Sequence, residues 1–216
     1  MACIETQFPN QVVTAGTGTL VGPRMLLTAG HVVYDPVHGG KPRSFRVTLG
    51  NAPRQSFTAT NWRTSGKWFK TDSKLSMSKR ALSSADVGVV ILDNPIDSMV
   101  ASLKYETTKT EVINAMTLNV AGYSNDATLI PNTAFFASSR GTTVPQASYR
   151  MSYPIHTIAG MSGGPVWSRD PSQVRTVRAI HTSLFDGAGN ALRITTSVFR
   201  LLQKWQNQFH PTAQAA

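Results

Sequence analysis

The stretch Gly160-Met161-Ser162-Gly163-Gly164-Pro165 holds one serine among three glycines and a proline. A serine hydroxyl is a weak nucleophile at neutral pH, so a reactive serine needs a base beside it and backbone N–H groups aimed at the oxyanion that forms on attack. Glycines on both sides of Ser162 let the backbone turn sharply and bring such N–H groups close to a bound molecule. A glycine-rich turn without chemistry fits the same pattern. The interpretation of Ser162 as a reactive serine therefore requires a histidine and a carboxylate elsewhere in the chain.

The composition is that of a folded globular protein. The 216 residues are 41% hydrophobic and 15% charged, which excludes an intrinsically disordered chain. No apolar run approaches the ~20 residues of a membrane helix, and the first residues do not have the pattern of a signal peptide. Cys3 is the one cysteine of the sequence, so an intrachain disulfide is excluded. We expect Cys3 to lie in a mobile N-terminal segment and to have no particular role.

The chain is basic, with 21 Lys and Arg against 11 Asp and Glu and a formal net charge of +10. Such a charge is compatible with nucleic acid, anionic surfaces or acidic substrates as partners. The basic residues are scattered, however, and no nucleic-acid-binding motif accompanies them. The densest group is predicted to be a solvated loop and consists of Lys67, Lys70, Lys74, Lys79 and Arg80. A nucleic-acid-binding protein is therefore an alternative rather than the leading interpretation.

Short β-branched segments punctuated by Gly, Pro and Asn predict about six strands in each half of the chain. In the first half they are predicted at 11–21, 25–29, 45–49, 55–62 and 86–92, with a long loop at 65–84. In the second half they are predicted at 117–123, 134–137, 149–155, 165–168, 176–182 and 191–195. Apolar residues at helical spacing predict one helix over 197–205. The sequence thus predicts an all-β protein with one unit over 1–105 and another over 106–216, joined by a linker near 99–112.

Two residues are candidates to activate Ser162. The sequence has five histidines, and His31 is favoured as the base because it follows an apolar strand and a turn of small residues, Leu26–Gly30. Asp86 is favoured as the carboxylate because it directly precedes the apolar segment Val87–Leu92, where a charge without a partner would be costly. Taken singly, each is also typical of an ordinary half-buried histidine or of a turn carboxylate. Only their combination with Ser162 indicates chemistry.

The segments Leu27–His31, Asp86–Val90 and Gly160–Val166 resemble, in order and spacing, the three signature blocks of the chymotrypsin-like serine proteases. The resemblance spans nearly the whole chain. It implies two packed six-stranded antiparallel β-barrels with the active site in the cleft between them, and a C-terminal α-helix.

The same resemblance implies a role for each residue. Ser162 would be the nucleophile, His31 the general base, and Asp86 the carboxylate that orients the base and remains ionised. The backbone N–H groups of Gly160 and Ser162 would form the oxyanion hole. Met161 stands where many trypsin relatives have an acid, so activation through a charge pair with a newly cut N-terminus is not expected.

A closer likeness is to the glutamyl endopeptidases, and it is carried by Met151–Gly160 and Ala179–Thr182. In that family, residues that match Thr157 and His181 hold the carboxylate of an acidic side chain before the scissile bond, which a hydroxyl and an imidazole are both able to do. His156, beside them, would add positive character. The resemblance implies a serine endopeptidase that cleaves after acidic residues, chiefly glutamate.

The sequence contains no metal-site spacing and no phosphate-binding loop, so neither a metal nor a cofactor is expected. The expected partners are protein or peptide substrates, without nucleic acid or membrane, and the chain is expected to be a monomer. The resemblance favours a secreted protein whose signal or propeptide segment is absent from this chain, although the lack of disulfides fits the cytoplasm as well. A non-catalytic binding module with the protease fold is a further alternative. The joint presence of His31, Asp86 and Ser162 argues against it.

Overall fold

The computed structural model describes residues 1–50, 55–70, 84–97, 100–125, 133–140, 142 and 148–209. Within them, six strands of the first half form a closed antiparallel barrel in the order β1-β2-β3-β6-β5-β4. The strands are β1 (Ala2–Gln7), β2 (Val13–Leu20), β3 (Met25–Thr28), β4 (Ser44–Leu49), β5 (Gln55–Thr64) and β6 (Gly88–Leu92). Successive side chains alternate between core and surface, as in β4, where Phe45, Val47 and Leu49 are buried.

β1 corrects the prediction that the N-terminal segment is mobile. It pairs with both β2 and β4 and so closes the barrel. Ala2, Cys3 and Ile4 are buried in it. Burial, helped by the nearby carboxylate of Glu5, raises the pKa of the Cys3 thiol to about 11, so the thiol is protonated and unreactive at neutral pH. The sequence did not indicate this strand because its six residues lack the glycines and turn residues that bound the others.

Within the described residues, the second half forms one sheet of seven strands. The strands are β7 (Lys104–Tyr105), β8 (Leu118–Tyr123), β9 (Ala134–Ser139), β10 (Arg150–Tyr153), β11 (Pro165–Arg169), β12 (Arg175–Phe185) and β13 (Ala188–Arg193). Six of them follow the antiparallel order β10-β13-β12-β11-β8-β9, and β7 pairs in parallel with β12. The predicted all-β class is confirmed. The seventh strand, β7, lies in the region that the sequence predicted as a linker.

Among the described residues, the helices are short except the last. They are α1 (Gly30–Val33), α2 (Gly66–Phe69), α3 (Thr110–Ala115) and α4 (Thr196–Phe209), with a 3-10 turn at Pro36–His38. α4 confirms the predicted C-terminal helix. Val198, Leu202 and Trp205 recur on one face and are buried in a core shared by the first barrel and one face of the second sheet. In the part of the chain that the structure describes, no helix is long and apolar enough to span a membrane.

α2 corrects the prediction of an uninterrupted loop over 65–84. The hydroxyl of Ser65 caps this helix by accepting a hydrogen bond of 3.0 Å from the backbone N–H of Trp68. Trp68 is fully buried, and its indole N–H donates to the carbonyl of Tyr34 at 3.0 Å. Three of the five basic residues predicted to form a solvated group lie at 71–83, outside the described residues.

Candidate active site

The pairing of β3 with β6 brings His31 and Asp86 together. Thr28, at the end of β3, lies opposite Gly88, at the start of β6. The chain leaving β3 and the chain entering β6 therefore meet at one edge of the first barrel, and His31 follows the first strand while Asp86 precedes the second. Long stretches of sequence separate the two residues, but antiparallel register makes them neighbours.

Asp86 holds His31 by two hydrogen bonds. Its Oδ1 accepts from the backbone N–H of His31 and its Oδ2 contacts the ring Nδ1, each at 2.9 Å. The Asp86 side chain is fully buried and that of His31 is 12% exposed. Gly30 makes this close approach possible, because a Cβ there would lie 2.9 Å from the Trp68 ring and 3.0 Å from the Asp86 carboxylate. Trp68 thus packs against the His31–Asp86 pair, with its ring centroid 6.3 Å from that of His31.

Ser162 lies in a tight loop, residues 159–164, which we call the nucleophile loop. Gly160 and Gly163 have φ angles of +94° and +86°, which L side chains rarely adopt. The loop is tied to β12 on one side, because the N–H of Gly163 donates to the carbonyl of His181 at 2.8 Å and the N–H of His181 donates to Gly164 at 2.9 Å. The predicted sharp turn around the serine is therefore present, and the glycines provide it.

The nucleophile loop is also docked on the first barrel through Thr17 of β2. The backbone N–H of Thr17 donates to the carbonyl of Ser162 at 2.7 Å, and its hydroxyl donates to the carbonyl of Gly160 at 2.8 Å. The same hydroxyl accepts from the backbone N–H of Tyr123 at 2.9 Å. Next to it, Gly16 leaves room between the main chain of Ser162 and the side chain of Val32, the residue after His31. Gly16 thus brings the main chain of Ser162 close to the residue that follows His31.

The peptide before Gly160 has a fixed orientation. The carbonyl of Ala159 accepts a hydrogen bond of 2.8 Å from the backbone N–H of Asn125. Because the N–H and C=O of a trans peptide point in opposite directions, the N–H of Gly160 points away from Asn125. Within the described residues, the N–H groups of Gly160 and Ser162 donate to no protein acceptor. The Ser162 hydroxyl is 3.4 Å from the carbonyl of Thr182.

His181 is buried beside the nucleophile loop and is electrically neutral. Its Nδ1 is 2.5 Å from the hydroxyl of Tyr153. Burial lowers the pKa of His181 to about 3, and repulsion from Arg150 and from the protonated form of His31 acts in the same direction, whereas a hydrogen bond to the backbone of Asn190 opposes it. Burial also raises the pKa of Tyr153 above its usual value, so the phenol is neutral as well.

The other two residues predicted for a specificity pocket differ in their surroundings. Thr157 is buried, and its hydroxyl has no hydrogen-bond partner among the described residues. His156 is exposed. Neither the exposure of His156 nor the neutral state of His181 could be inferred from the sequence, because both depend on how distant segments of the chain pack together. In the described ranges, no group of three or more His, Cys, Asp or Glu side chains could hold a metal ion.

Sequence reasoning missed three residues that shape the site: Thr17, Trp68 and Tyr153. Thr17 lies in a strand with many small residues and has no motif around it. Trp68 lies within the basic segment that was interpreted as a solvated loop. Tyr153 is two residues from Met151 on a short strand, and this alternation of large residues facing the core was its one available signal.

Comparison with known proteins places these features in a family. The trypsin-like peptidase domain family matches residues 16–174, most of the chain. An extracellular metalloprotease of Bacillus subtilis is 29% identical over 210 residues, which cover 95% of this chain and 63% of that protein. A glutamyl endopeptidase of Bacillus licheniformis is 27% identical over 202 residues, covering 88% of this chain and 59% of that protein. The chain therefore spans about three fifths of the length of these curated relatives.

Solved structures agree on the fold. A Glu endopeptidase solved in complex with MPD superposes with a TM-score of 0.77 at 19% identity, covering 95% of this chain and 90% of that one. The protease Anisep from Arthrobacter nicotinovorans superposes with a TM-score of 0.73 at 15% identity, covering 98% and 95%. The resemblance to glutamyl endopeptidases and the chymotrypsin-like fold are both confirmed. The chain belongs to the trypsin-like peptidase family.

Proposed function

We propose that this chain is a serine endopeptidase in which His31, Asp86 and Ser162 form the catalytic triad. The observation that carries the proposal is the two-point grip of the buried Asp86 carboxylate on the backbone N–H and the ring Nδ1 of His31, both at 2.9 Å. That grip fixes the imidazole with its proton on Nδ1 and leaves the lone pair of Nε2 as the base. The proposal follows the matched family and this geometry, not the word metalloprotease in the name of the Bacillus subtilis relative.

The reaction proceeds in two halves. Ser162 Oγ attacks the carbonyl carbon of the scissile peptide while His31 Nε2 takes its proton, and the imidazolium then gives that proton to the leaving amine. Water repeats the sequence on the acyl-enzyme and releases the acid. The N–H groups of Gly160 and Ser162 serve as oxyanion donors. One such donor is worth about 3–4 kcal/mol of transition-state stabilisation in comparable sites.

Replacement of the nucleophile tests this mechanism. Ser162→Ala should lower peptide hydrolysis by about a million-fold, as loss of the serine does in an unrelated serine protease. Ser138→Ala, at an exposed position of β9, is the matched control and should keep full activity. Normal turnover by Ser162→Ala would overturn the mechanism. An inactive wild-type protein with the same fold would favour the alternative of a non-catalytic binding module.

We propose further that the enzyme cleaves after acidic residues, chiefly glutamate. The support comes from the buried Thr157 hydroxyl, which lacks a partner within the described residues, and from the buried imidazole of His181 on β12. We infer that the neutral Tyr153 phenol donates to Nδ1 of His181, which would place the ring proton on Nε2. Thr157 and His181 would then offer two uncharged donors to a substrate carboxylate, with exposed His156 at the margin.

Digestion of a denatured protein tests the specificity. The new C-termini, identified by mass spectrometry, should be mostly Glu, and cleavage mostly after Lys, Arg or large apolar residues would refute the acidic pocket. Thr157→Val keeps the shape of the side chain and removes the hydroxyl. It should lower the preference for Glu over Gln by roughly tenfold to a hundredfold, the worth of a hydrogen bond to a charged group. An unchanged ratio in that variant would show that Thr157 does not contact the carboxylate.

We propose further that the protein is secreted, acts on protein or peptide substrates and is a monomer. One relative is named as extracellular, which supports secretion of the protein to which this chain belongs. Protein and peptide substrates follow from the family. Immunoblotting of culture medium and cell lysate from the source organism checks secretion, and light scattering checks the predicted monomer.

A further inference from the structure

Arg150 lies at the start of β10, on the face of the second sheet opposite its core. Met151 and Tyr153 of the same strand are buried in that core, so alternation directs Arg150 to the other side. Its neighbour across the sheet, Leu192, belongs to the core shared with the first barrel. A long cationic side chain at this position is therefore directed to the region where the two β units meet.

The guanidinium is joined to the catalytic serine by a single intermediate residue. Arg150 Nη2 donates a hydrogen bond of 3.0 Å to the hydroxyl of Thr182, which in turn donates to the carbonyl of Asn190. Thr182 is 2% exposed. Its backbone carbonyl is the group that lies 3.4 Å from Ser162 Oγ. Arg150 therefore restrains the segment of β12 against which the nucleophile rests.

The positive charge of Arg150 interacts with the negative charge of Asp86. Burial lowers the pKa of Arg150 and the negative charge of Asp86 raises it, so the two groups lie within electrostatic range across the cleft. An arginine keeps its proton even when it is partly buried. Among the described residues, the titratable and charged groups around His31 and Arg150 include Asp86 from the first barrel and Tyr149, Tyr153 and His181 from the second sheet.

We propose that Arg150 is a positioning residue of the triad: it holds Thr182 against the nucleophile loop and places a permanent positive charge one residue away from Ser162, whose proton His31 takes. That charge disfavours a proton on His31, so the imidazole stays available as a base at lower pH. The inference rests on the proposed serine peptidase function. It adds a residue that no signature block of the family contains.

The pH dependence of kcat/KM tests the proposal, measured from pH 5 to 9 on two peptides that differ by Glu or Gln before the scissile bond. In Arg150→Gln the acidic limb of the kcat/KM profile should move to higher pH by about half a unit to one unit, because a nearby positive charge no longer opposes protonation of His31. Arg150→Lys keeps the charge and should stay near the wild-type limb. Thr182→Val removes the anchoring hydroxyl and should shift the limb in the same direction by less, which keeps the test available if Arg150→Gln does not fold.

Arg193 provides the matched control. It is another arginine of the second sheet, buried among its neighbours, and its guanidinium donates to the backbone carbonyls of Ser148 and Thr108. Arg193→Gln should lower thermal stability without moving the acid limb. If the acid limb of the kcat/KM profile does not move in folded Arg150→Gln, the proposal is overturned. If the ratio of cleavage after Glu to cleavage after Gln also falls, Arg150 contacts the substrate instead. An active Ser162→Ala variant would instead mean that the proposed function itself fails.

Discussion

At the scale of single residues, burial of the neutral His181 imidazole makes the free energy of unfolding depend on pH. The unfolded chain has a histidine that titrates near pH 6.5, whereas in the folded protein burial lowers the pKa of the same group to about 3. Between these two values the unfolded state binds a proton and the folded state does not. Stability associated with His181 is therefore complete above about pH 6.5 and is lost as the pH falls toward 3.

Comparison of the wild type with a His181 variant separates this pH dependence of stability from the pH dependence that the carboxylates cause. His181→Gln should be less stable than the wild type at pH 7, because it loses the contact with Tyr153. The difference in unfolding free energy should narrow by about 1.4 kcal/mol per pH unit between pH 6 and 4, since only the wild type pays for the neutral imidazole. Urea denaturation at several pH values measures it. A constant difference would mean that His181 takes up its proton in the folded state, and an NMR titration of the histidine rings would show this directly.

His31, Asp86 and Ser162 were accessible to sequence reasoning because each lies in a short segment whose residue types are dictated by local chemistry. Tyr153 was not, because its hydroxyl reaches His181 only through the pairing of β10, β13 and β12. The charge state of His181 was inaccessible for the same reason. A sequence gives the donor groups of a pocket, whereas their protonation depends on burial by residues that are distant in the chain.

At the scale of elements, the nucleophile loop depends on glycine for two separate reasons. Gly163 has a φ of +86°, and a Cβ there would overlap both the hydroxyl of Thr28 and the carbonyl of Thr17. Gly163→Ala should therefore destabilise the fold by about 3 kcal/mol and abolish activity, because the loop must move away from the first barrel. Chemical denaturation and a peptide assay measure the two effects.

The second sheet contains a control that separates strain from overlap. Gly187, in the turn between β12 and β13, has a φ of +72°, and a Cβ there would meet no atom of the described residues within 4 Å. Gly187→Ala should cost about 1 kcal/mol, from backbone strain alone, and leave activity intact. If the two alanine variants lose equal stability, the contact with the first barrel does not hold the loop.

The elements also show where sequence patterns fail. Strands bounded by glycine or proline were predicted within a few residues, as was α4. β1 and α2 were not, because neither is marked by its own residues: β1 is made stable by hydrogen bonds to two neighbouring strands, and α2 by the burial of Trp68 beneath His31. Both are consequences of tertiary packing, which overrides local pattern.

At the scale of the whole molecule, the two β units share hydrogen bonds as well as apolar contacts. Thr17 is the residue in which these bonds converge, since its N–H, hydroxyl and carbonyl all have partners. It binds the nucleophile loop at Ser162 and Gly160 and the end of β8 at Tyr123. His31 and Asp86 of the proposed triad lie in the first β unit and Ser162 lies in the second. The position of Ser162 relative to His31 therefore depends on this junction.

Replacement of Thr17 by valine tests the junction, because valine keeps the shape and removes the hydroxyl. Thr17→Val leaves the carbonyl of Gly160 and the N–H of Tyr123 buried without that partner, which should cost about 2–4 kcal/mol of unfolding free energy. A displaced Gly160 should also lower kcat by at least about tenfold, since the oxyanion donors lose their alignment. Thr19→Val is the control: its hydroxyl, two residues along β2, is buried without a partner among the described residues, so its loss should be neutral or slightly stabilising. If the two valine variants unfold at the same denaturant concentration and turn over peptide equally fast, Thr17 does not couple the two β units.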